Sequence, residues 1–130
     1  MLGNDLTDLY LAAWNAADET KRATLLRQVF TSDGRYIDPL TEAHGVADIS
    51  VMIGRARAPF AAARFQRSGD MQAHHDFLRF SWEWRTEDSA SVVRGTDVAQ
   101  QLNGRFQLMV GFFDQLPAAR QSTEGLHAVV

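Results

Sequence analysis

The stretch that decides the fold is SVVRGTDVAQQLNGRFQLMVGFFDQL, residues 91–116. It holds two runs rich in β-branched and aromatic residues, 91–102 and 105–116, joined by Asn103-Gly104. An Asn-Gly pair between two such runs is a strong signal for a tight hairpin, because both residues tolerate a positive φ. The sequence therefore predicts two long antiparallel strands here.

A third segment extends this hairpin toward the N-terminus. Residues 73–85, AHHDFLRFSWEWR, are similarly rich in aromatic residues, and the polar stretch 86–89 separates them from the hairpin. The three segments are typical of an antiparallel meander. A short strand near residues 64–67 can precede it.

The first half of the chain has helical periodicity instead. Apolar residues recur at three- and four-residue steps in 6–14, 21–30 and 46–57, which predicts three amphipathic helices. Asp18 or Thr20 can cap the second helix. Between the second and third helices, residues 35–38 alternate as a short strand. Helices first and strands afterwards indicate an α+β fold.

Length and charge limit the possible functions. The 130 residues suit a single domain, with a core over about 6–116 and a C-terminal tail over 117–130. A net charge of -3 offers no cationic surface for phosphates, so we expect no nucleic-acid partner. The absence of cysteine excludes disulfides and thiolate metal sites. Without a leader or a long apolar run, we expect no membrane insertion and a cytoplasmic location.

The last predicted strand is apolar on both faces. Strand alternation puts Met109, Gly111 and Phe113 on one face, and it puts Phe106, Leu108, Val110 and Phe112 on the other. A sheet that carries helices on one side usually shows polar residues on its other side. We therefore expect the outer face to be buried in a homodimer. The alternative is that the tail, residues 118–130, folds back over it.

Four local motifs, in this order and spacing, resemble the SnoaL-like branch of the nuclear transport factor 2-like superfamily. They are YLAAWNAAD (10–18), FTSDGRYIDP (30–39), GTDVA (95–99), and GRF (104–106) leading to GFFD (111–114). The resemblance implies a cone-shaped roll, in which N-terminal helices pack on a strongly bent, mostly antiparallel sheet. It also implies a hydrophobic pocket for a small apolar molecule, in a fold that hosts enzymes and non-catalytic proteins alike.

Ketosteroid isomerase is the relative whose site is carried over residue by residue. In that enzyme a carboxylate moves a proton beside a carbonyl, while a tyrosine and a protonated aspartic acid hold the oxyanion. By this resemblance Asp38 matches the base, Tyr10 the tyrosine and Asp97 the protonated acid. Each also has a purely structural interpretation: Asp38 as a turn residue, Tyr10 as a core residue, and Asp97 as a polar group bonded to backbone.

The histidines of the third segment depart from this pattern. Neighbouring side chains on a strand point to opposite faces, so His74 and His75 cannot easily chelate one metal, and we expect no metal site. The proton-transfer chemistry of the relative implies no cofactor. Aligning residues 80–84 with the relative places His74 inside and His75 outside, although a one-residue bulge would reverse this. His74 is then an alternative base to Asp38.

The predicted ligand contacts are side chains of the inner face and of the first helix. They are Trp14, Tyr36, Phe80, Trp82, Met109 and Phe113. Epoxide hydrolysis is disfavoured, because the positions that relatives use for it correspond to Gly95 and Gly111. A polyketide cyclase needs only one acid or base, which Asp97 or His74 supplies.

Three function classes follow from the sequence. The first is a cofactor-independent proton-transfer isomerase or cyclase that acts on an apolar ligand. The second is a non-catalytic module that binds a ligand in the same cavity. The third is a domain that recruits a protein partner through its sheet.

Overall fold

Three helices and a seven-stranded sheet make up residues 3–86 and 92–115, the part of the chain that this computed structural model describes. The helices are α1 (Gly3–Asn15), α2 (Glu19–Val29) and α3 (Val46–Arg57), and a 3-10 turn, Ala58–Phe60, follows α3. The strands are β1 (Phe30–Asp38), β2 (Thr41–His44), β3 (Arg64–Arg67), β4 (Gln72–His74), β5 (Phe77–Arg85), β6 (Val92–Leu102) and β7 (Arg105–Gln115). The predicted end of the last strand at residue 116, the tail and most of the 86–89 turn lie outside the described residues.

The sheet is mixed but mostly antiparallel. Its strand order is β2-β1-β7-β6-β5-β3, and β4 pairs with the remaining part of β5. Only the described β1–β7 pair is parallel, and the other described pairs are antiparallel. The helices pack on one face of this curved sheet, which confirms the predicted α+β fold.

Local signals predicted most element boundaries. Asn103 and Gly104 have φ values of 53° and 79°, and they join β6 to β7 in the two-residue hairpin that the sequence indicated. Asp18 caps α2 by accepting a hydrogen bond from the Lys21 amide at 2.9 Å. Strand β1 is longer than predicted, because it begins directly after α2, and the short strand β2 had no prediction.

The sequence predicts one strand over residues 73–85, but the structure divides this segment between β4 and β5. It folds back at His75 and Asp76, so that β4 pairs with the beginning of β5 in register Ala73 with Leu78. His75 takes a φ of 54°, which histidine tolerates better than most side chains. The predicted continuous strand was wrong because no glycine or proline marks this turn.

The predicted outer row on β7 was wrong at Phe106. Phe106 pairs with Gln101, whereas Leu108 pairs with Gln100, so Gln107 is an extra residue in the strand. Such a bulge reverses the alternation locally. Phe106 is therefore fully buried on the inner face, while Phe112 on the outer face is 52% exposed.

Two buried arginines hold the end of α1, where helix carbonyls lack partners within the helix. Arg22 donates to the Ala16 carbonyl from Nε at 3.3 Å and from Nη2 at 3.1 Å. Arg57 donates from Nη1 to the Trp14 carbonyl at 2.8 Å. Positive charge at a helix C-terminus also interacts favourably with the helix dipole. The position of Trp14 is therefore fixed by α2 and α3.

Candidate active site

A cavity of about 600 Å³ lies between the inner face of the sheet and helices α1 and α3. Aromatic side chains form much of its wall: Tyr10, Trp14, Tyr36, Phe60, Phe65, Trp82, Trp84 and Phe113. Asp38 and Asp97 also line it, as do Glu42, Asp48 and Arg55, of which the last three are exposed. The cavity is large enough for a small organic molecule, and its wall is mainly apolar.

Asp97 lies on β6 in the cavity wall and is only 3% exposed. Its Oδ2 accepts a hydrogen bond from the Tyr10 hydroxyl at 3.1 Å, and its Oδ1 accepts one from Trp82 Nε1 at 2.8 Å. Burial raises the pKa of Asp97 to about 7, and the charges of Asp38 and Asp114 contribute to this rise. The two hydrogen bonds lower the pKa, but their effect is smaller than that of burial. Asp97 therefore exchanges its proton near neutral pH.

Tyr10 projects from α1 into the centre of the inner face. Its ring makes edge contacts with Phe30, Phe80 and Phe106 at centroid distances of 6.0–6.2 Å. Burial, with a further contribution from the Asp97 charge, raises the pKa of Tyr10 well above its ordinary value. The hydroxyl thus keeps its proton and acts as a hydrogen-bond donor.

Asp38 ends β1, which is separated from β6, the strand of Asp97, by β7 alone. Its Oδ1 accepts hydrogen bonds from the Leu40 amide at 2.8 Å and from the Thr41 amide at 3.0 Å, across the turn that joins β1 to β2. Its Oδ2 accepts a hydrogen bond from the Tyr36 hydroxyl at 2.6 Å. These donors hold the carboxylate in one orientation, as a positioned base requires.

Gly111 on β7 allows the two carboxyl groups to approach each other. A Cβ at this position would lie 3.0 Å from Asp97 Oδ1 and 3.3 Å from Asp38 Cβ. It would also lie 3.6 Å from the Tyr36 hydroxyl oxygen. The side chains of Asp97, Asp38 and Tyr36 thus converge over Gly111, which has no side chain.

The structure brings most of the predicted site residues together. Tyr10, Trp14, Tyr36, Asp38, Trp82, Asp97 and Phe113 all line the cavity. Phe80 and Met109 face inward as predicted, but they are 1% and 0% exposed and are not among the lining residues. Phe80 packs edge-on against the Tyr10 ring, and both Phe80 and Met109 belong to the hydrophobic core.

His74 does not reach the cavity. It lies exposed on β4, and its Nδ1 is 3.0 Å from Nδ1 of the neighbouring His75. The prediction that His74 points inward was wrong, because the turn at His75 and Asp76 removes it from the alternation of β5. Of the cavity-lining carboxylates, Asp38 and Asp97 are the two that are not exposed.

The sequence interpretation missed several cavity residues. Trp84 shares the inner face with Trp82, so strand alternation could have identified it. Phe65 lies on the short strand β3, which Asn15 holds against α1 through hydrogen bonds in both directions to the Phe65 backbone, at 2.8 and 2.9 Å. No sequence signal placed β3 against α1.

The described residues contain no group of three or more His, Cys, Asp or Glu side chains that could hold a metal. None of their helices is long and apolar enough to cross a membrane.

Solved structures identify the family of this fold. A proposed isomerase of the SnoaL-like family from Agrobacterium tumefaciens is 38% identical, with a TM-score of 0.82 over 86% of this chain and 97% of that protein. This chain belongs to the SnoaL-like family. The sequence itself matches no family model and no curated protein.

Two further solved structures, at lower identity, share the fold alone. A proposed polyketide cyclase from Sinorhizobium meliloti is 16% identical, with a TM-score of 0.67 over 82% of this chain and 93% of that protein. A proposed ketosteroid isomerase from Kribbella flavida is also 16% identical, with a TM-score of 0.66 over 92% and 84% of the two chains.

Proposed function

We propose that this protein is a cofactor-independent enzyme that moves a proton on a small apolar carbonyl compound, as an isomerase or a cyclase. The observation that carries the proposal is Asp97, a buried carboxyl group in the wall of an aromatic cavity whose pKa is about 7. A general acid or base is most effective when its pKa lies near the working pH. Strongly perturbed carboxyl groups in a cleft are concentrated at functional sites.

In the isomerase scheme Asp38 takes the proton from the carbon next to the carbonyl. The electron pair of the broken C–H bond moves toward the carbonyl oxygen, which becomes an enolate. Tyr10 and the protonated form of Asp97 donate hydrogen bonds to that oxygen. Asp38 then returns the proton to a carbon further along the chain, so that a double bond has moved and no other reactant is consumed.

In the cyclase scheme Asp97 does the acid–base work alone. It takes a proton from a carbon acid, and the resulting carbanion attacks a second carbonyl of the same molecule. The proton then returns to the new alkoxide. Asp38 would shape the cavity in this scheme without taking part in the chemistry.

One observation favours a non-catalytic binding module instead. The Tyr10 hydroxyl and the Trp82 indole N–H both donate to Asp97 in the structure. A ligand oxygen must therefore displace one of these bonds, or accept one from protonated Asp97, before the site can stabilise an oxyanion. A protein that only stores or senses a ligand would not need this exchange.

A screen of β,γ-unsaturated ketones separates these possibilities. If the isomerase scheme holds, Asp38→Asn removes turnover by about 10²-fold or more, and Asp97→Asn reduces it. If the cyclase scheme holds, Asp97→Asn removes turnover of a suitable polyketone substrate, and Asp38→Asn has the smaller effect. Asp48→Asn, at an exposed carboxylate of the cavity mouth, is the matched control. Binding of these compounds by the unaltered protein without any turnover supports the non-catalytic module.

We also propose that the protein is a homodimer through the outer face of the sheet. The support is the outer row on β7, in which Phe112 is exposed and Leu108 and Val110 are partly exposed. An exposed apolar row on a sheet is costly in a monomer.

A further inference from the structure

Trp82 and Asp97 are neighbours across the β5–β6 pair. Trp82 lies directly opposite Gly95, and Asp97 is two residues further along β6 on the same face. The indole is 6% exposed and extends over the glycine, so that Nε1 reaches Asp97 Oδ1 at 2.8 Å. This hydrogen bond is buried together with both of its partners.

Gly95 is required for this arrangement. A Cβ at residue 95 would lie 2.2 Å from Cζ2 and 2.7 Å from Cε2 of Trp82. It would also lie 2.5 Å from the Phe112 carbonyl oxygen. Carbon atoms cannot approach so closely, so any side chain at residue 95 would displace the indole. The glycine of the GTD motif therefore makes room for the Trp82 hydrogen bond.

The chemistry of the indole decides where Asp97 holds its proton. An indole N–H can only donate a hydrogen bond, so Oδ1 must accept in both protonation states of Asp97. A hydroxyl can both donate and accept, so Tyr10 can face either a charged or a protonated Oδ2. We infer that Trp82 is a positioning residue, which confines the exchangeable proton of Asp97 to Oδ2 beside Tyr10.

The other groups around Asp97 make the effect of Trp82 measurable. Tyr10 faces it from α1, and Tyr36 and Asp38 face it from β1. The charge of Asp114 on β7 also acts on it, although the Asp114 carboxylate bonds to Thr96. Burial and the two other carboxylates raise the pKa of Asp97, whereas the hydrogen bonds from Trp82 and Tyr10 lower it. Removing the indole N–H takes away one of these two stabilising donors of the charged form.

Only the relevance of this inference to catalysis rests on the proposed function, because the test measures the protonation of Asp97 directly. The carboxyl carbons of aspartate are labelled with ¹³C, the Asp97 signal is assigned by its loss in Asp97→Asn, and its titration is followed by NMR. In Trp82→Phe we expect the pKa of Asp97 to rise by about one unit, since a hydrogen bond to a charged group is lost. The infrared C=O stretch of protonated Asp97 should also move to higher wavenumber, because Oδ1 no longer accepts.

Trp84→Phe is the matched control. Trp84 lies on the same strand and in the same cavity wall, but its Nε1 has no hydrogen-bond partner in the described part of the chain. We expect this variant to leave the titration and the C=O stretch of Asp97 unchanged. A merely structural role for a tryptophan would give similar results in the two variants.

The inference fails if Trp82→Phe leaves both signals of Asp97 where Trp84→Phe leaves them. If Trp82→Phe does not fold, replacement of Trp82 by benzothienylalanine keeps the ring shape and removes only the N–H donor. If the unaltered protein has no activity but the Asp97 signals shift in Trp82→Phe, the proposed function is overturned and the role of Trp82 is supported. If the unaltered protein is active but the Asp97 signals do not shift in Trp82→Phe, the role of Trp82 is overturned and the proposed function stands.

Discussion

The Tyr36 hydroxyl donates to Asp38 Oδ2 at 2.6 Å, from a residue two positions earlier on the same strand. Strand alternation alone puts these side chains on one face, so local sequence builds this contact. Bonds of this length from a hydroxyl to a carboxylate are typically stronger than neutral ones. Burial raises the pKa of Tyr36 well above its ordinary value, so the donor keeps its proton.

Tyr36→Phe should therefore destabilise the protein by about 1–2 kcal/mol, because Asp38 loses a charge-assisted hydrogen bond. In an active enzyme kcat should fall more than KM changes, since Asp38 is less firmly oriented. Urea unfolding at pH 7 and steady-state kinetics measure the two effects. A variant as stable and as active as the parent protein would show that the contact contributes nothing net.

Asp97 should make stability depend on pH. The pKa of Asp97 is raised from 3.8 to about 7 on folding, so the folded protein binds more protons than the unfolded chain between these values. The stabilising contribution is complete below about pH 4 and is lost as pH rises to about 7. The loss is on the order of 4 kcal/mol.

Asp97→Asn should remove this part of the pH dependence, because an amide does not titrate. The difference in unfolding free energy between Asp97→Asn and the parent protein should shift in favour of the variant between pH 4.5 and pH 8. Asp70→Asn, at an exposed loop residue, is the control. Parallel stability curves for Asp97→Asn and the parent would contradict the raised pKa.

Gly111→Ala should separate the two carboxyl groups of the site. The new methyl group would lie 3.0 Å from Asp97 Oδ1, which is too close unless the carboxyl group shifts. We expect a stability loss of about 1–3 kcal/mol from overpacking and a loss of ligand binding. Val110→Ala, at the next residue on the opposite face, should leave binding unchanged. Normal binding by Gly111→Ala would mean that the site tolerates a wider separation.

Much of this site could be predicted from the sequence, because its parts depend on short-range rules. Alternation places Tyr36 with Asp38, and helical spacing places Tyr10 with Trp14. The resemblance then relates these residues to Asp97. The predictions for His74 and Phe106 failed for one shared reason: a turn without glycine and a one-residue bulge both change the alternation, and neither has a composition signal.

The contact between α1 and β3 could not be predicted either. It depends on an Asn15 side chain that bonds to backbone 50 residues away. Side chain to backbone bonds over such separations leave no periodic pattern. The contribution of Phe65 to the cavity wall could therefore be recognised only from the structure.

A homodimer should be sensitive to charge in the outer row. Phe112→Glu would bury a carboxylate in the proposed interface, so we expect it to convert the dimer to a monomer in sedimentation at micromolar concentration. Val51→Glu, at a 42% exposed residue on α3 rather than on the sheet, should remain dimeric. A parent protein that sediments at 14.5 kDa would exclude the dimer.

Ligand binding should quench tryptophan fluorescence, because all 3 tryptophans line the cavity. With a neutral β,γ-unsaturated ketone as the probe, Trp14→Phe should lower the amplitude of the quench in proportion to the lost emission. An unchanged amplitude in this variant would mean that the ligand does not approach α1.

The parallel pairing of β1 with β7 affects how the chain folds during its synthesis. Phe30, Tyr36 and Ile37 find their partners on β7 only at Phe106, Met109 and Val110, which the ribosome adds more than 70 residues later. Contacts so distant in sequence form slowly. Until β7 is made, the edge of β1 that pairs with it has no partner, and the strand that lies between Asp38 and Asp97 is missing. We therefore expect a nascent chain stalled before residue 105 to lack the folded site and to aggregate more readily than the full chain.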